Sequence, residues 1–330
     1  MVLLAAPVCL ITGCGGPISS GSGNYLVVEF NENQPLRYQF QAKREVVIEL
    51  TGDKPGSSKA SNETLDMIMT IRPVEVNPFG LTTLEYTCES AKVTRQSFTG
   101  RAGGSPDAMT ALKGKTYTVQ ISPTGNIETN EDFVAMLRQI GAKSYVETQK
   151  QRVKNPDMIF DWMFFQLYLW DAVTSVDKPL DGLTVGDTWQ SRQLIPWPIP
   201  IPNMPTRQVD YTLDDITETP EGRIAKIGST YSVSDEPVTD FPHPYDGTFQ
   251  IKGSLFSVLR NYQFQSLEGT GAQQFNLDTG TLLEDQEDYT LVARANFILP
   301  LGNSIPILTV KQSFSVKLLD SPKGETRAAQ

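Results

Sequence analysis

The sequence predicts an α+β protein: mostly antiparallel, curved β-sheet in two similar halves, half-barrel-like, packed around central helices. Three observations carry this. Apolar and polar residues alternate in both halves of the chain, as in Tyr117, Val119 and Ile121 against Thr116, Thr118 and Gln120, the period of half-buried strands. Turn clusters such as Asn77-Pro-Phe-Gly80 and Pro123-Thr-Gly-Asn126 separate these runs. Between the halves lies one dense apolar stretch, Met158 to Val173, whose length suits a helix rather than a strand.

In order along the chain, Tyr25 to Phe30, Leu36 to Phe40 and Val46 to Leu50 read as strands, followed by a polar loop from Thr51 to Ser61. Leu65 to Val76 and Leu81 to Thr94 read as a hairpin across Asn77 to Gly80, and Lys115 to Ile121 turns back into Ile127 and Glu128. Asn130 can cap a helix from Glu131 to Ile140, whose Phe133, Met136, Leu137 and Ile140 form one apolar face, with Gly141 to end it. Ala142 to Lys154 is polar and locally basic. Asn155 and Pro156 suit the N-cap and first turn of the central helix. Asp157, Asp161, Phe164, Tyr168 and Asp171 fall on one stripe of that helix, and almost everything else on it is apolar, so it must be covered nearly all round.

The second half repeats the pattern. A strand runs from Trp189 to Ile195, and Arg207 to Thr217 pairs with Arg223 to Val233. Ser254 to Leu267, Ala272 to Leu277, Thr281 to Phe297 and Ile307 to Leu319 supply further strands. The Thr-Gly hairpins at Tyr117 to Ile127 and Gln274 to Leu282 share one pattern, consistent with a weak internal duplication. The expected division is a signal peptide at 1–13, a lipidated cysteine and flexible tether at 14–24, β-rich halves at 25–128 and 177–320 around a helical segment at 129–176, and a tail at 321–330.

Composition bounds the function. With 39% hydrophobic and 20% charged residues the body is globular, and a net charge of −10 excludes nucleic acid as a partner, since phosphate binding needs clustered Lys and Arg. The three cysteines, Cys9, Cys14 and Cys88, make no disulfide framework, and Cys88 on a strand reads as a buried structural thiol. His243, between two prolines, is the single histidine; no Gly-x-Ser-x-Gly, His-Glu-x-x-His or Cys-x-x-Cys accompanies it, so no catalytic residue, metal or cofactor is expected. The acidic run Glu284 to Asp288 is expected on an exposed turn or strand. A carboxylate pair drawn from different elements leaves an acid hydrolase open as an alternative.

Val2 to Ile11 is an apolar run ending in Ile11-Thr12-Gly13-Cys14, followed by a Gly/Ser-rich stretch. It resembles a bacterial lipoprotein signal with its lipobox. The resemblance implies that the Cys14 thiol receives diacylglycerol, that the chain is cut before it, and that the new amine is acylated. Gly15 stands where enterobacterial inner-membrane lipoproteins carry aspartate, which implies the outer membrane of the cell envelope. Leu36-Arg-Tyr-Gln-Phe40, the stretch from Leu112 to Ile127 before a helix, and Val185-Gly-Asp-Thr-Trp189 after one are similar to a family of secreted or lipid-anchored bacterial proteins of planctomycete type. That family is uncharacterised and brings no activity. The architecture is also similar to the half-barrels of lipoprotein carriers.

The function expected is therefore a membrane-anchored envelope lipoprotein, a non-catalytic binding or structural module of open ligand and protein partners; the alternative is a carrier of lipid or another apolar ligand in a half-barrel groove. Trp162, Trp170, Trp197, Ile199 and Ile201 are the candidate contacts for such a ligand or partner, the last three in the proline-rich run Leu194 to Pro205.

Overall fold

A computed structural model describes residues 23–32, 34–51, 58–96, 107–142, 145–148, 151–154, 157–179, 181–197, 204–238, 249–250, 259–297 and 305–320. The first half holds β1 (Leu36–Thr51), β2 (Lys59–Val76), β3 (Thr82–Gln96), a 3-10 turn (Ala108–Leu112), β4 (Thr116–Ile121) and β5 (Ile127–Thr129). The middle holds α1 (Glu131–Ala142), the short strands β6 (Tyr145–Thr148) and β7 (Gln151–Lys154), α2 (Ile159–Tyr168) and α3 (Asp171–Thr174). The second half holds β8 (Thr188–Leu194), β9 (Thr206–Thr219), β10 (Gly222–Ser234), β11 (Phe249–Gln250), β12 (Leu259–Asn276), β13 (Thr281–Phe297) and β14 (Ile305–Asp320).

Eleven strands make one open sheet in the order β5-β4-β3-β2-β1-β14-β13-β12-β10-β9-β8, with every described pairing antiparallel. Neighbours in space follow the chain order, with β11 passed over between β10 and β12, except at the centre, where β1 pairs with β14 from Arg37 opposite Asp320 to Thr51 opposite Ile305. The two halves expected from the pattern are thus the two wings of a single sheet. β6 and β7, within the stretch read as polar chain at 142–154, form a separate three-stranded sheet with β11, which pairs parallel to β7.

Strand alternation gives the sheet two different faces. Tyr38, Phe40, Ala42 and Val46 of β1, Leu65, Met67, Met69 and Ile71 of β2, and Leu308, Val310, Phe314 and Val316 of β14 are buried on the concave side. The convex side is polar and laced with ion pairs, among them Arg37 to Glu89 at 2.7 Å and Lys311 to Glu45 at 3.3 Å. The concave face is filled by α2 and α3. Trp162 of α2 meets Phe40 edge-on at 5.0 Å, and Phe165 meets Phe314 at 4.6 Å, so strands of both wings close on one helix. α1 lays the predicted face of Phe133, Met136, Leu137 and Ile140 into the same core.

Four expectations change. Tyr25 to Phe30 is not a sheet strand but an extended strap whose amides bond to turns: Val28 N–H to the Pro123 carbonyl at 2.9 Å and Glu29 N–H to the Gly280 carbonyl at 3.0 Å. The central helix begins at Ile159, where the Asp157 carboxylate accepts from its amide, rather than at the Asn155-Pro156 cap, which lies outside the described residues. It also breaks at Leu169 and Trp170 into α2 and α3. The separate strands read at 36–40 and 46–50 are one strand, and β12 runs unbroken from Leu259 to Asn276 across the gap read between 267 and 272. Finally, α1 runs through Gly141 to Ala142 instead of stopping before it.

Candidate functional site

The interior around α2 and α3 holds two clusters of buried charge, one toward each wing. The first begins at Asp161, fully buried on α2. Its carboxylate accepts from Arg44 Nη1 at 2.7 Å and from Gln312 Nε2 at 3.0 Å. Arg44 of β1 also pairs with Glu63 of β2, Glu63 with Arg95 of β3 at 2.6 Å, and Arg95 with Asp107 at 2.6 Å. Asp107 closes the chain by accepting from the Met109 amide at 2.9 Å and the Met158 amide at 3.1 Å, so it caps both the 3-10 turn and the approach to α2.

Burial raises the Asp161 carboxyl above its usual value and Arg44 opposes the rise; two donors and no acceptor face it, the arrangement an ionised carboxylate requires. At Glu63 burial also pushes upward, but Arg44 and then Arg95 outweigh it and hold the group below the usual carboxylate range. Asp107 goes the other way: burial and the neighbouring Asp157 push it up to about 6. The cluster therefore ties α2 and the 3-10 turn to β1, β2 and β3 through a chain of buried ion pairs.

The second cluster surrounds Arg207 of β9. Its Nε donates to Gln193 Oε1 at 2.7 Å and its Nη2 to Glu287 at 2.6 Å, while the guanidinium lies 4.3 Å from the Tyr231 ring centre. Gln193 Nε2 and the Tyr211 hydroxyl both donate to Asp171 of α3, at 2.8 and 2.9 Å. Asp285 is held well above the usual carboxylate range by burial first and Glu287 second. Arg207 Nη1 is buried with no partner, and it borders a void lined also by Phe164, Phe165, Tyr168, Asp285, Glu287 and Phe314. The void measures 20 Å³. That is room for about one water molecule.

No protein-family model matches the chain, and no curated protein does. Seven chains of solved structure do match. Among them is lipovitellin, from a structure titled for its lipid–protein interactions, at TM-score 0.38 and 10% identity, over 92% of this chain and 27% of that one. The chain thus spans about a quarter of lipovitellin's length, and at that score no property passes from one to the other.

The candidate contacts are placed as follows. Trp162 is wholly buried, and Trp170 is buried with the strap's Phe30 edge-on at 5.8 Å. Trp197 is buried against Tyr262 at 4.7 Å and Phe264 at 5.3 Å. None of the three is among the residues that line the void beside α2. Ile199, Ile201, His243, Cys9 and Cys14 lie outside the described residues. Cys88 is free and buried, with its thiol pushed up to about 12 by that burial. Among the described residues no group of three His, Cys, Asp or Glu is placed to hold a metal, and no helix is long and apolar enough to cross a membrane.

The acidic run needs a correction: on β13 Asp285 and Glu287 point inward and only Asp288 and its in-phase neighbours face water, because strand alternation sends every second residue to the concave side. The stripe of carboxylates on the central helix is likewise covered, Asp157, Asp161 and Asp171 all being buried. Arg44, Glu63, Gln193 and Arg207 were missed as site residues altogether. Their signal is phase: Arg44 continues the series Tyr38, Phe40, Ala42, and Arg207 the series Val209, Tyr211, Leu213, so each sits where its strand buries side chains.

Proposed function

We propose that this chain is a lipid-anchored protein of the bacterial envelope, tethered through Cys14, whose folded body is a non-catalytic binding or structural module. The observation that carries the second part is the engagement of the buried ionisable groups. Asp161, Glu63, Asp107, Asp171 and Glu287 each face donors within the core, so their carboxylate oxygens are engaged by internal bonds. Catalysis would need such a group free to meet a reacting atom. The anchor rests on the lipobox Ile11 to Cys14 and the outer-membrane address on Gly15. Metabolic labelling with a fatty acid tests it: the parent chain takes up label and Cys14→Ser does not, and equal labelling of the two would end the reading.

A second reading, a carrier of lipid or another apolar ligand, is favoured by the void beside α2, with aromatic walls and an unpartnered guanidinium nitrogen at one side. A void of 20 Å³ holds no acyl chain, so a carrier would have to displace α2 from the concave face. Mass spectrometry of lipid co-purifying with the Cys14→Ser chain decides between the two: stoichiometric lipid with saturable quenching of tryptophan by a brominated lipid supports the carrier, and its absence supports the filled module.

A further inference from the structure

We propose that the end of the sheet crossed by the Gly23–Phe30 strap is a membrane-docking face, with Phe79 as its apolar tip and a neutral lipid surface as its partner. The inference rests on the reading of Cys14 as the anchor and adds an orientation and a contact surface to it.

The strap fixes where the tether leaves the body. Asn24 bridges to Leu183, and the next residues bond to the β4–β5 turn at Pro123 and the β12–β13 turn at Gly280. Because Val28 and Glu29 are adjacent, their amides point to opposite sides of an extended chain, and the strap ties the two wings together. Gly23 follows Cys14 by nine positions, which limits the reach to about 30 Å. β2 alone runs 18 residues, or roughly 60 Å, from the turn end to the other end of the sheet. An anchored body therefore keeps its turn end toward the bilayer.

That end is also where apolar side chains project. Phe79 is 89% exposed at the tip of the β2–β3 turn, and Val74 and Tyr25 are each 44% exposed beside it or on the strap. Val185, 55% exposed, follows the segment bridged to Asn24. The Phe79 tip is held rigidly. Asn77 Oδ1 accepts from both the Phe79 and Leu81 amides at 2.9 Å, and Gly80 takes φ +82°, with the β4–β5 turn's Pro123 packed against it. A fixed, solvent-facing phenyl ring gains by entering a lipid interface, as aromatic residues at membrane boundaries do.

Charge selects the kind of surface. Glu29, Glu75, Asp177, Asp181 and Glu221 are exposed at this end against Lys178 beside the strap, while Arg72 and Arg223 are engaged by Glu85 at 2.5 Å and Asp278 at 2.7 Å. The balance is acidic, so a zwitterionic surface is preferred and an anionic one repelled.

The experiment is co-flotation of the Cys14→Ser chain, freed of the apolar leader at 1–13, with phosphatidylcholine vesicles. Phe79→Asp is expected to reduce binding about tenfold, the order of one large apolar side chain lost from the interface. Val233→Asp, at an exposed position near the other end of β10, leaves it unchanged. Phe79→Trp adds an exposed indole to a chain whose other four tryptophans are buried, and its emission should shift to the blue and be quenched by brominated lipid. Equal losses from Phe79→Asp and Val233→Asp, an unmoved Phe79→Trp spectrum, or tighter binding to vesicles containing anionic lipid would each overturn the proposal. Since this chain lacks the acyl acceptor, failure here leaves the Cys14 reading to the labelling experiment, and failure there leaves this surface to its own test.

Discussion

Removing one side of the Arg44–Asp161 pair should reveal how the helix is bolted to the sheet. Both groups are buried, at 1% and 0% side-chain exposure. Asp161→Ala leaves Arg44 with Glu63 as its remaining counter-charge but strips the partner from Arg44 Nη1 and from Gln312 Nε2. Arg44→Met leaves Asp161 with Gln312 alone, since Glu63 is still claimed by Arg95. Stranding one member of a buried pair costs about 3–5 kcal/mol, so Asp161→Ala should fall near the lower figure and Arg44→Met near the upper. The double variant Arg44→Met with Asp161→Ala strands no charge, and should be less destabilised than Arg44→Met by about 2 kcal/mol. Urea unfolding at neutral pH, with unchanged slope, gives the three values. A cost below about 1 kcal/mol for Asp161→Ala, or singles that add to the double within about 0.5 kcal/mol, would refute the reasoning.

Trp162→Ala should cost about 3–5 kcal/mol in the same assay, because the ring is fully buried against Phe40. Cys88 should resist a thiol reagent at pH 8 in the native protein and react once in denaturant, its thiol being buried and pushed up to about 12; rapid native labelling would contradict its place. Asp107, raised to about 6, binds a proton in the folded state that the unfolded chain releases near 4, so its contribution is most favourable below pH 4 and is lost as pH rises through 6. The stability difference between the parent and Asp107→Asn should therefore fall by up to about 3 kcal/mol from pH 4 to pH 7, as read from urea midpoints.

Strand order and the central helix are legible where alternation is clean. The breaks were misplaced wherever a strand carries an unusual residue in phase. Lys43-Arg-Glu45 falls in the gap between the strands read at 36–40 and 46–50, yet Arg44 keeps the inward phase of Phe40 and Ala42 and β1 runs on through it. Gly269 and Gly271 read as a gap in β12. They are instead close approaches: a Cβ at Gly269 would lie 2.4 Å from Tyr289 Cβ, and one at Gly271 2.1 Å from the Tyr231 hydroxyl. Those glycines make room for the tyrosines that flank Arg207. The partners of Arg44 and Arg207 come from strands far apart in sequence, and no local pattern announces which carboxylate each will meet. The strap was misread for a related reason, since an extended apolar segment looks the same whether its amides bond to a strand or to turns.

The pairing of β1 with β14 has a consequence for how the chain reaches this state. The first strand made waits for the last, and the seam between them runs through the middle of the sheet. Contacts of such long sequence separation make folding slow, because loop closure is paid for before the pairing rewards it. Until β14 arrives, β1 and β13 each present a long bare edge, which invites pairing with another chain. A polypeptide that cannot complete its sheet until residue 320 has been made stays unsealed along that seam, and it needs shielding for that same interval.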